Sequence, residues 1–123
     1  MNKTLLPMIG MAAAVSLLVG CGGTSPMVKE RVAKSETAVQ QAITTVGSSE
    51  NGAIELQSAK DNLQTAKSQL AAKNEKGAER YAQKAQLNAE LAVAKAQSSA
   101  ARKAADEVLA SVETLRKEAA RPQ

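Results

Sequence analysis

Residues 53–73 read AIELQSAKDNLQTAKSQLAAK, and within them Leu56, Ala59, Leu63, Ala66 and Leu70 alternate by three and four. Such spacings put side chains on one stripe of a helix. Leu and Ala therefore fill the two core positions of a heptad, while Glu55, Lys60, Asp61, Gln64, Lys67, Ser68 and Gln69 lie on the other faces. Asn74-Glu75-Lys76-Gly77 follows at once. A link of only about four residues between two amphipathic helices makes them antiparallel neighbours, and Asn74 either ends the one or caps the next.

Working outward, no Gly or Pro stands between Gly77 and Pro122. That absence predicts a third helix over about 75–120, whose roughly 43 residues from Ala78 onward span about 65 Å at 1.5 Å per residue. It carries two stripes of four-three spacing. One is Ala78, Ala82, Ala85, Ala89, Ala92 and Ala96; the other runs through Leu87, Leu91, Ala94, Ser98, Ala101, Ala105, Val108, Val112, Leu115 and Ala119. Their registers differ by two residues, about 200°, so they face nearly opposite sides. On the other flank, Val32, Val39 and Val46 recur every seven residues with Val28, Ala42 and Ile43 on the same face, predicting a first helix over about 27–46. Gly47-Ser48-Ser49-Glu50-Asn51-Gly52 supplies turn chemistry before the second helix at about 53–73, and leaves the first free to swing.

The expected fold class is all-α: an antiparallel helical hairpin or a three-helix bundle with a long C-terminal helix and coiled-coil-like packing. A helix apolar on two sides must touch two things, and the second helix spans only the front half of the third. Val108, Val112 and Leu115 are thus either covered by the first helix or left, with Leu87 and Leu91, as an association surface for a second copy or another protein. Tyr81, the only aromatic residue, is expected to plug the hairpin end near Leu70 with its hydroxyl in water. Ser98-Ser99, two poorer helix formers side by side, leave a bend in the third helix open.

The N-terminus reads differently. Lys3 precedes an uncharged, mostly apolar stretch from Leu5 to Val19, too short for the ~20 residues of a spanning helix and suited to a signal h-region. Leu18-Val19-Gly20-Cys21 resembles a bacterial lipobox, which implies cleavage between Gly20 and Cys21 and acylation of Cys21. The implied organisation is a signal peptide at 1–20, a lipidated Cys and flexible tether at 21–26, and a helical domain at 27–123, leaving 123 minus 20, or 103, mature residues. Two or three acyl chains give a stable membrane anchor. By resemblance to lipoproteins of Gram-negative bacteria, Gly22 in place of the Asp that signals inner-membrane retention implies the outer membrane, facing the periplasm.

Composition removes most chemistry. The 123 residues carry 16 Lys plus Arg against 12 Asp plus Glu, a net charge of +4, with no His and one Cys. No His-based acid/base pair, Cys/His nucleophile, Cys/His zinc site or internal disulfide can be built, so no catalytic, metal or cofactor site and no enzyme is expected. Nucleic acid is not expected as a partner either, for want of a stacking platform. Arg102, Lys103, Arg116, Lys117 and Arg121 make the last quarter basic, which is either a solvated helix end favoured by the macrodipole or a contact for anionic envelope polymers such as peptidoglycan or lipopolysaccharide.

The stretch from about Ala53 to Gln97, with Leu56-x-x-Ala59-x-x-x-Leu63-x-x-Ala66-x-x-x-Leu70-Ala71, then Ala78-Glu79-Arg80-Tyr81-Ala82-x-x-Ala85, and Ala89-Glu90-Leu91-Ala92-x-Ala94-Lys95-Ala96, resembles the bacterial envelope lipoproteins grouped as domain of unknown function 4398. The resemblance implies a short Ala-rich helical region behind a lipoprotein signal and adds no catalytic residue. Murein-type lipoproteins are also Ala-rich, but they form one uninterrupted helix with a terminal Lys, whereas this chain has two Gly-bearing turns and ends Arg121-Pro122-Gln123. The functional expectation is a lipid-anchored structural or adaptor lipoprotein of the outer membrane that associates through its Ala, Leu and Val stripes. The alternative is an envelope module that binds peptidoglycan or lipopolysaccharide through the basic quarter.

Overall fold

In the computed structural model, which describes residues 23–122, Pro26 occupies the first turn of helix α1 (Pro26–Val46). Its ring presets a helical φ, and its missing N–H is one the first turn leaves unpaired anyway. Helices α2 (Ala53–Ala71) and α3 (Glu75–Ala119) follow, and the described residues contain no strand. The all-α expectation holds, and of its two architectures the three-helix bundle is the one formed. Gly20, Cys21 and the signal segment before them lie outside the described residues.

The chain runs up, down and up. Ser25 donates its backbone N–H to Glu75 Oε1 at 2.5 Å, and Arg31 pairs with Glu79 at 3.2 Å, so α1 starts beside the start of α3 and runs parallel to it. α2 returns antiparallel, and its Glu55 meets Lys95 of α3. A third bridge, Lys67 to Glu36 at 2.5 Å, ties α2 to α1, so every pair of helices shares one ion pair.

Both α1 and α2 pack on a single face of α3. Ala78, Ala82, Ala85, Ala89 and Ala92 are fully buried there and Ala96 nearly so. Methyl side chains let two neighbouring helices approach closely, and the bulk that fills the gaps comes from Val28, Val32, Val39 and Val46 of α1 and Leu56 and Leu63 of α2. On α1 the sequence reading is corrected at one position. Ser35, not Ile43, completes the buried stripe, with no exposed area and its hydroxyl donating to Val32 O at 2.7 Å, while Ile43 sits at the margin with 36% of its surface open. A helical Ser can satisfy itself on the preceding turn, so it occupies an Ala-sized slot without an orphan polar atom.

The links are closely specified. Gly52 lies at φ +90°, and a Cβ there would fall 2.4 Å from the Ala92 carbonyl oxygen of α3. α2 ends at Ala71, two residues before the expected boundary, because Lys73 turns into the left-handed region at φ 58° and Asn74 returns its N–H to Gln69 O at 2.9 Å. That six-to-one closure is a Schellman-type stop. Asn74 then caps α3 by accepting from the Gly77 N–H at 3.1 Å. Tyr81 and Leu70 are both half-buried against the core, and the Arg80 and Lys84 cations stand 5.0 and 5.4 Å from the Tyr81 ring centre. α3 continues unbroken through Ser98-Ser99.

Candidate association surface

The buried Ala stripe of α3 stops for a reason visible in its own spacing. Carried forward by threes and fours from Ala96, it reaches Ser99, Lys103, Asp106, Ala110, Glu113 and Lys117. Four of those six are charged, so the bundle face of α3 turns polar just where α1 and α2 end. From residue 100 to 122 every residue is exposed. About 20 residues of α3, close to 30 Å of helix, therefore project past the bundle with no other element beside them.

The opposite stripe does not stop. Leu87 and Leu91 lie on the outer side of the bundle, and Ala101, Ala105, Val108, Val112, Leu115 and Ala119 extend the same line along the projection. Val112 is 38% exposed and Leu115 68%. The proposed cover of Val108, Val112 and Leu115 by the first helix is not what forms, because α1 is spent on the Ala face and ends at Val46, beside the front half of α3. Leu109, 66% exposed, adjoins the stripe and had no place in the four-three pattern. Only its position flanking Val108 and Val112 could have signalled it.

The basic residues are not gathered. Arg102, Lys103, Arg116, Lys117 and Arg121 are all exposed but share the projection with Asp106, Glu107, Glu113 and Glu118, so five positive charges less four negative leave +1. Lys117 pairs with Glu113 at 3.5 Å and Arg121 approaches Glu118 at 3.9 Å. At full exposure such pairs contribute little.

An open cleft of about 420 Å³ lies where the α1–α2 link meets α3. Four of its polar side chains are engaged in pairs, Lys95 with Glu55 and Asn51 with Ser99 at 2.8 Å, and Glu50, Ser98 and Arg102 also line it, open to solvent. The Lys95 ammonium, which donates a hydrogen bond to Glu55, and the Glu55 backbone N–H hold that carboxyl below the ordinary range. Among the described residues no buried side-chain polar atom lacks a partner, and no group of His, Cys, Asp or Glu is placed to hold a metal ion. No helix among them is long and apolar enough to cross a membrane.

The family described as Domain of unknown function (DUF4398) matches residues 30–108, which takes in most of α1, all of α2 and the first half of the projection of α3. Neither a curated protein nor a solved structure matches the chain.

Proposed function

The chain belongs to the DUF4398 family, and we propose that it is a lipid-anchored envelope lipoprotein, held at the outer membrane on its periplasmic side, with a structural or adaptor role. The observation that carries this reading is the projection of α3 with its outer stripe, whose large apolar residues are Leu87 and Leu91 beside the bundle and Val108, Val112 and Leu115 beyond it, joined by Ala94, Ser98, Ala101 and Ala105. A bundle needs no such extension for its own core. An exposed apolar line on a helix that nothing covers is the kind of surface a partner uses.

The lipobox resemblance of Leu18 to Cys21 supports the anchor, and the position of Ser25 in the bundle suits one orientation of it. Ser25 sits at the Glu75 end of the bundle, and Cys21 is four residues earlier, within about 14 Å along the chain. An acylated Cys21 would hold that end at the membrane and point the free end of α3 away from it. The reading through anionic polymers draws less support, since the basic residues of the projection are diluted by acidic ones.

Membrane fractionation tests both halves. The wild-type chain is expected to take up acyl label at Cys21, sediment with membranes and migrate after detergent extraction as a particle larger than a monomer. Cys21→Ser should lose label and membrane association. The double substitution Val108→Asp with Val112→Asp should keep both and shrink the particle. A Cys21→Ser chain that still sediments with membranes overturns the anchor, and an unchanged particle size overturns the association surface.

A further inference from the structure

We infer that the outer stripe of α3 pairs with the same stripe of a second copy of this chain, in parallel and in register, as a two-stranded coiled coil. The inference rests on the reading of that stripe as an association surface and names its occupant. Its ground is the charge pattern on either side of the stripe.

Counting Val112 as heptad position a and Leu115 as d places every member of the stripe at a or d from Leu87 to Ala119. The flanking e positions are then Asn88, Lys95, Arg102, Leu109 and Arg116, and the g positions are Glu90, Gln97, Ala104, Ser111 and Glu118. No e position is acidic and no g position is basic. In a parallel pair each g residue faces the e residue five places later on the other strand. Glu90 would face Lys95 of the second copy, Gln97 would face Arg102, Ser111 would face Arg116, and Ala104 would face Leu109. Acid meets base, amide and hydroxyl meet guanidinium, and the apolar e residue meets the apolar g residue.

An antiparallel pair sets e against e and g against g. Centred on the stripe, it would oppose Arg102 to Arg102 and Glu90 to Glu118, and would set Leu109 against Lys95. Like charges across a coiled-coil seam select against that arrangement. Lys95 can serve two partners, since its ammonium has three donors and Glu55 takes one. Val112 at a with Leu115 at d is the β-branched and Leu combination that favours two strands, Leu91 at a and Val108 at d reverse it, and the small Ala and Ser residues between them bring two backbones close. The bundle does not obstruct the seam, because α1 and α2 occupy the opposite Ala face of α3.

The test uses residues 21–123 with Cys21→Ser, in which any introduced thiol is the only one. Sedimentation equilibrium over a concentration series should move from one to two chain masses, and Val112→Asp should hold the chain at one mass while keeping the helical circular dichroism of the wild-type chain at its most dilute. Ser98→Cys, at an a position, should oxidise to a disulfide-linked dimer of itself. A chain monomeric at every concentration overturns the inference. So does a dimer in which Ser98→Cys fails to join to itself but joins to Val108→Cys, its neighbour in the antiparallel arrangement. Either failure leaves the association surface standing if the detergent-extracted particle still shrinks on Val108→Asp with Val112→Asp, for the occupant would then be another protein or the orientation reversed.

Discussion

At Gly52 two constraints coincide. Its φ of +90° is a conformation L side chains rarely adopt, and its α carbon lies so near the Ala92 carbonyl that a methyl would overlap the α3 backbone. Neither can relax without moving the α1–α2 link off α3, because the obstructing atom is backbone. Gly52→Ala is therefore expected to destabilise the bundle by at least about 2 kcal/mol, read as a lowered midpoint in urea with an unchanged slope. A loss under about 0.5 kcal/mol, ordinary for an exposed substitution, would mean the close approach is absent. The sequence marks Gly52 as a turn residue and nothing more, since the atom that forbids a side chain stands 40 residues further on. Ser35 was illegible for a related reason. A hydropathy pattern sees a hydroxyl and assigns it to solvent, whereas in the fold the hydroxyl bonds its own helix and the residue behaves as an Ala.

Among elements, the Ala stripes specify little by themselves, because a row of methyls can slide by a heptad at small cost. The Gly52 contact on the Ala92 backbone fits one register and not the next, and the three interhelical ion pairs, largely exposed, add a small preference for the same one. Glu55–Lys95 is the pair with a titration signature. Its carboxyl is held down in the folded chain, so the unfolded chain binds the proton more readily; the pair's contribution is present above the unfolded carboxylate value of about 4.3 and is lost as pH falls through the folded one. Lys95→Gln removes the ammonium that lowers the carboxyl. The substituted chain is expected to lose less stability than wild type between about pH 5 and pH 2, measured by denaturant titration at each pH. Equal losses would show that the pair does not couple α2 to α3. Periodicity located the three helices and placed Leu56, Leu63 and the Ala face of α3 in the core, because those signals repeat within one helix. It could not decide what α1 covers, since that depends on which of two apolar faces offers the smaller side chains to two neighbours at once.

For the whole molecule, the division of α3 into a packed half and a projecting half sets its dynamics. An extension of about 20 residues on a helix that the bundle has already nucleated needs only propagation, and good helix formers such as Ala, Leu, Glu, Lys and Arg carry it, but each added turn is held only weakly in water. The packed half is held by the bundle; residues 100–119 have only their own hydrogen bonds and the exposed pairs Glu113–Lys117 and Glu118–Arg121. A chain ended after Ala101 is accordingly expected to keep its thermal midpoint to within about 2 °C while losing helical signal in proportion to the residues removed. Hydrogen exchange should separate the halves in the intact chain. In dilute Cys21→Ser protein, amides around Ala82 to Ala92 should open only with the bundle, and those of 103–119 should exchange through local fraying. Raising the concentration should slow exchange most along Ala105 to Leu115, because pairing through the outer stripe covers a segment that in the single chain is held only by its own helical hydrogen bonds. If the projection is fully protected even at the lowest concentration, it is stable alone, and its length then serves as a rigid spacer that needs no second strand.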